Sequence, residues 1–127
     1  MTEYSGHVEI NPESFSLLLS HAISSPDALF MVIEDSGAVV GGILGMIEPF
    51  YFNFDRKKAQ LVFWYCETSS RDNLELWTLF EKWAESNGVT GISAGCNCSI
   101  MRDKFEKFWT RRGYAPLETH FIKWGGA

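Results

Sequence analysis

The sequence has few of the residues that would place it in a specialised class. It has only three cysteines, Cys66, Cys96 and Cys98, and its three histidines are scattered at 7, 21 and 120. An odd cysteine count with no secretory leader in view points to free thiols and excludes a disulfide framework. Cys96-Asn97-Cys98 has no second cysteine pair to complete a zinc site, so no metal centre is expected. No apolar run is long enough to span a membrane, because charges, prolines or glycines break each one. The opening MTEYSGHVEI lacks a basic region followed by an apolar stretch, so the expected location is cytoplasmic, or inside a virion if the gene is carried by a phage. Basic charge is also short: 11 Lys and Arg against 16 Asp and Glu give a net charge of −5, which turns the chain away from nucleic acid as its main partner.

Apolar side chains are plentiful. Hydrophobic residues make up 46% of the 127 positions and aromatics 15%, enough for a single domain, residues 1–127, with one sizeable core. In INPESFSLLLSHAIS, Asn11 can cap a helix, Pro12 suits its first position, and Phe15, Leu18, Leu19 and Ala22 form an apolar stripe, which predicts a helix over 12–24. Leu29 to Glu34 reads as a buried strand, Asp35-Ser36-Gly37 as a turn, and Ala38 to about Phe52 as a long second strand. Gly41, Gly42 and Gly45 in that strand mark a bulge or a close backbone approach. KKAQLVFWYCE predicts a third strand over 58–67, after a turn at Asp55-Arg56-Lys57. The aromatic segment Phe50-Tyr51-Phe52-Asn53-Phe54 precedes that turn; it either covers the core edge or docks a second copy or another protein.

Residues 73–87 carry the helical stripe Leu76, Trp77, Phe80, Trp83 and Ala84, closed by Gly88. A short strand over 89–96, a helix over 100–112 ended by Gly113, and a final strand in YAPLETHFIKW complete the chain. The order is α-β-β-β-α-β-α-β. Strand 58–67, the helix and strand 89–96 form a βαβ unit, so those two strands should be parallel neighbours in a mixed sheet of α/β (α+β) class.

This order resembles the GCN5-related N-acetyltransferase (GNAT) fold over nearly the whole chain. VIEDSGAVVGGILGMIE is similar to that family's second and third strands, LFEKWAESNGV to the helix after its pyrophosphate loop, and FEKFWTRRGY to its late-helix signature. The resemblance implies a mixed central sheet flanked by helices, in which the strand over 58–67 splays away from the strand over 89–96. It also implies that acetyl-coenzyme A lies in the gap, its pantetheine arm paired with exposed strand backbone. Two positions depart from the family. Its loop of Arg/Gln-x-x-Gly-x-Gly/Ala falls on Thr68, Arg71 and Asn73, with no glycine, and its signature tyrosine falls on Trp109, whose indole has no proton to give at neutral pH.

The loop YCETSSRDNLEL, residues 65–76, therefore has two readings. Ser69, Ser70 and Arg71, with Asp72 and Asn73 at the helix start, can hold phosphate with help from the helix dipole. Alternatively Asp72 and Glu75 form a capping box that occupies the same N–H groups. Tyr65 and Cys66, on opposite faces of the strand, and Asn97, at the end of the next, are the remaining candidates for the cofactor arm. Glu67 is the candidate base for the amine and Tyr114 the candidate acid replacing Trp109. The expected activity is acetyl transfer from acetyl-coenzyme A to a primary amine of a small molecule or protein. The alternative is a non-catalytic binding or structural module, for example virion-associated, on the same fold with a degenerate cofactor site.

Overall fold

The computed structural model describes residues 8–67, 70–95 and 102–125. They pack as two compact units, Ile10–Ala94 and a second within Gly95–Ala127. The first holds helix α1 (Pro12–Ser24), strands β1 (Ala28–Asp35), β2 (Ala38–Phe50) and β3 (Asn53–Cys66), helix α2 (Ser70–Ser86) and strand β4 (Gly91–Ser93). The second holds helix α3 (Arg102–Arg111).

The four strands form one mixed sheet in the order β1-β2-β3-β4, with β1, β2 and β3 antiparallel and β3 parallel to β4. The expected fold class is therefore present, with the crossover helix between the parallel pair. The β1–β2 turn works because Ser36 and Gly37 both take positive φ, 53° and 83°, the combination a tight two-residue hairpin turn requires. Helix α1 begins where its cap is: the Asn11 side chain accepts a hydrogen bond from the Ser14 amide at 3.1 Å, and Pro12 follows.

Each face of the sheet carries one helix, as consecutive residues of β3 show. Phe63 lies 5.7 Å from Phe15 of α1 and 6.1 Å from Phe30 of β1. Trp64, pointing the other way, lies 5.0 Å from Trp77 of α2. The stripe Leu76, Trp77, Phe80 and Ala84 is fully buried, as its spacing predicts, together with Ile43, Leu44 and Ala59. Burying a side chain such as Phe80 contributes roughly 2–3 kcal/mol.

The structure moves several boundaries. The chain reverses at Tyr51-Phe52, not at Asp55-Arg56-Lys57, which lie within β3. Those three charges sit on an exposed strand end, where solvent satisfies them, whereas Pro49 has no N–H to extend the ladder and the register slips beside it. Strand β4 spans three residues instead of eight, because the Thr90 amide already bonds the Lys57 carbonyl at 2.8 Å in a bend before the ladder starts. Helix α2 begins at Ser70, three residues earlier than its apolar stripe indicated. Residues 114–124, expected as a strand, form none, and Leu117, Phe121 and Ile122 are exposed.

In the second unit Trp109 is buried and stacks on Phe105 at 5.3 Å. The Gly113 and Tyr114 amides bond back to the Thr110 and Trp109 carbonyls at 3.2 and 2.9 Å and end α3. Among the described residues no helix is long and apolar enough to cross a membrane.

Candidate functional site

Strand β3 outruns its parallel neighbour. Strand β4 pairs with Lys58, Ala59 and Gln60 only, while β3 continues from Leu61 to Cys66 with β2 alone beside it among the described residues. The divergence coincides with a bulge. Leu44 faces Phe63 but Gly45 faces Leu61, so Val62 is an extra residue on β3, two positions beyond the last β4 pair. A bulge of this kind bends its strand and raises the local twist. The result is a six-residue extension of β3, roughly 20 Å long, beyond its last ladder pair with β4, with a backbone suited to an extended ligand.

The end of that edge carries the polar groups. The Glu67 amide donates to the Val40 carbonyl at 2.7 Å, which fixes the backbone one residue past the strand. Tyr65 and Glu67 share the α1 face, two residues apart, which places the phenol where it can donate to the carboxylate. That bond, with smaller contributions from desolvation and the neighbouring charge, holds the Tyr65 phenol above its ordinary value of 10.0. The interaction contributes to stability below pH 10, where the phenol is protonated whether folded or not, and is lost as pH rises through the folded-state value. The difference between ultraviolet titrations of wild type and Tyr65→Phe should therefore give a midpoint above 10. Glu67→Gln should bring that midpoint down toward 10, and an unchanged midpoint would count against the bond.

Gly42 on the central strand faces Tyr65 on β3 and Val32 on β1. Gly42 is itself buried: a Cβ there would stand 3.3 Å from the Met31 carbonyl oxygen and 3.7 Å from both the Phe30 ring and Val32 Cγ1. Val32 and Tyr65, 42% and 50% exposed, flank it on the α1 face on strands roughly 10 Å apart, with Glu67 beyond. Neither Val32 nor Gly42 emerges as a site residue from the sequence. The Gly41-Gly42 pair was the only signal, and the pairing register is needed to see what it faces.

Cys66 points to the opposite face as a half-buried thiol outside any disulfide, with Sγ 3.1 Å from where a Cβ on Gly41 would stand. Arg71, Asp72 and Asn73 fall in the first turn of α2, just after the β3 terminus. Arg71 is exposed; Asp72 and Asn73 are half-buried. Because α2 starts at Ser70, Asp72 is its third residue and cannot be the N-cap, so the capping box of Asp72 with Glu75 does not form. Asp72 instead complements the helix dipole from within the first turn. Ser69 and Asn97 lie outside the described residues, as does the Ser70 side chain. Tyr114 is half-buried and belongs to the second unit. Among the described residues no three His, Cys, Asp or Glu side chains group to hold a metal ion.

No protein-family model matches the sequence, and no curated protein does. Solved structures match its fold. Glucosamine-6-phosphate N-acetyltransferase from Arabidopsis thaliana superposes over 91% of this chain and 79% of its own, with a TM-score of 0.70 at 15% identity. The aminoglycoside 6'-N-acetyltransferase AAC(6')-IG from Acinetobacter haemolyticus covers 94% and 85%, TM-score 0.70, at 13% identity. AAC(6')-Iy, solved with the bisubstrate analogue CoA-S-monomethyl-acetylneamine, covers 98% and 84%, TM-score 0.70, at 10% identity. The fold of this chain is that of the GCN5-related N-acetyltransferases.

Proposed function

We propose, from the N-acetyltransferase fold this chain carries, that it transfers an acetyl group from acetyl-coenzyme A to a primary amine. The observation that supports the reading most is that β3 runs on from Leu61 to Cys66, past the Val62 bulge, beyond its last ladder pair with β4. The backbone of such an extension suits the amide-bearing pantetheine arm, which would lie along it as an added strand. Arg71 in the first turn of α2, with Ser69, Ser70 and Asn73, would meet the pyrophosphate, and Cys66 would flank the arm. The substrate brings an acyl group already activated as a thioester.

The chain's own groups then have limited work. The amine would approach over the α1 face beside the exposed Tyr65, and Glu67, directly or through a water, takes its proton. Tyr65, bonded to that carboxylate, holds it in position. Nitrogen attacks the thioester carbon, the C–N bond forms, the C–S bond breaks, and the sulfur leaves with the electron pair. A thiolate is a good enough leaving group to depart without a protein acid and takes its proton from water. The acceptor would be an alkyl amine of a small molecule or a protein, drawn to the carboxylate as its ammonium form.

A second reading keeps the fold without the reaction: a binding module with a decayed cofactor site. The glycine-free loop and Trp109 at the signature position favour it. Thermal unfolding with acetyl-coenzyme A separates the two. At about a hundredfold excess over Kd the ligand should contribute about 2.7 kcal/mol, a rise in Tm of about 5–10 °C for a chain of this size. Arg71→Glu should abolish the rise. No shift in wild type would favour the module, and a shift untouched in Arg71→Glu would remove Arg71 from the phosphate site.

A further inference from the structure

Past the sheet proper, β2 and β3 run on as a two-stranded arm. Strand β1 pairs no further along β2 than Met46, and β4 begins opposite Lys58, so the ribbon from Glu48 to Lys57 has no third strand among the described residues. A two-stranded ribbon is marginal alone in water. Its tip nevertheless carries Tyr51, Phe52 and Phe54 at 88%, 74% and 72% exposure. The rings cluster: Phe52 lies 5.6 Å from Phe50 and 5.2 Å from Tyr51. The register jumps from Pro49–Lys57 to Phe50–Asn53, leaving residues 54–56 unopposed, and Asn53 Oδ1 accepts from the Asp55 amide at 3.1 Å. Nothing in the hairpin itself covers these rings.

We infer that this tip packs against the same tip of a second copy of the chain. The area comes close to what a dimer needs. Three rings of about 200 Å² each, at these exposures, present roughly 450–500 Å² per copy and about 900–1,000 Å² for a symmetric pair before flanking backbone is counted, just under the roughly 1,000 Å² that a specific interface clears. The charge also fits. A two-fold contact sets one patch against itself, so it tolerates mixed signs but not a single sign. The arm is mixed: Glu48 pairs with Lys58 at 3.5 Å, Lys58 Nζ sits 5.9 Å over the Phe50 ring, and Asp55 precedes Arg56 and Lys57. A lipid or nucleic-acid surface would call for an uncompensated basic patch, and the chain as a whole carries −5.

Sedimentation velocity on the full chain, from about 5 to about 200 μM, tests this. Wild type should shift from monomer to dimer across that range. Phe52→Asp with Phe54→Asp should weaken dimerisation by about 100-fold or more, as loss of two central aromatics does. Leu17→Asp, on the exposed side of α1, should leave it unchanged. Hydrogen exchange on wild type provides a readout independent of any variant: amides of residues 48–58 should gain protection as concentration rises. A monomer at the highest concentration, a dimer that survives the double substitution, or tip-dependent binding of the monomer to phosphatidylserine vesicles would each overturn the inference.

Discussion

Gly45→Val should destabilise the protein by about 3 kcal/mol, read as a drop in the urea midpoint with an unchanged slope. Gly45 lies on the α2 face of β2, where a Cβ would run into Phe80 Cε1 and stand 2.9 Å from Cδ1 and 3.1 Å from Cζ. A clash with a flexible side-chain end would be relieved cheaply. Phe80 has no such freedom: it is fully buried, with Trp77 at 5.1 Å and Trp83 at 6.0 Å. The backbone cannot yield easily either, because Gly45 adjoins the register shift that creates the Val62 bulge. Strand and helix must therefore part, and the buried stripe of α2 loses contact. Phe80→Leu in the same chain should restore part of the loss, giving a favourable coupling of about 1 kcal/mol or more in a double-mutant cycle. A midpoint for Gly45→Val within about 0.5 kcal/mol of wild type would mean that the ring does not pack on this glycine.

That contact marks the boundary of what could be read from residues alone. The α2 stripe was legible because helical spacing fixes which side chains share a face, and Leu76, Trp77, Phe80 and Ala84 obey it. The Ser36-Gly37 turn was legible because its backbone demands are chemical. Gly45 announced a close approach without saying to what. Asp55, Arg56 and Lys57 read as a turn by composition, yet an exposed strand end tolerates charge equally well, and Pro49 decides where the ladder slips. Residues 114–124 have a strand-like composition, but strand propensity is realised only against a partner. At the site, the same-face relation of Tyr65 and Glu67 follows from the two-residue period, whereas the alignment of Val32, Gly42 and Tyr65 across the sheet follows only from the register of three strands.

On the acetyl-transfer reading, Glu67→Gln is expected to lower kcat/KM by about 10²–10³, the usual share of a positioned base. The amide keeps the shape of the carboxylate but cannot take a proton from the ammonium. The thermal shift given by acetyl-coenzyme A should survive, because Glu67 faces the α1 side and not the β3 edge. That pairing of results separates loss of the base from loss of the site. Tyr65→Phe should fall between wild type and Glu67→Gln, roughly 3–10-fold down, since it removes only the hydrogen bond that positions the carboxylate. Combined with Glu67→Gln it should cost little more, because the phenol acts through the group already lost. Steady-state assays with a panel of alkyl amines measure all three variants. If Glu67→Gln turns over within about threefold of wild type, a free water suffices to take the proton and Glu67 is not the base. If Tyr65→Phe is the more damaging, the phenol itself touches the reacting atoms.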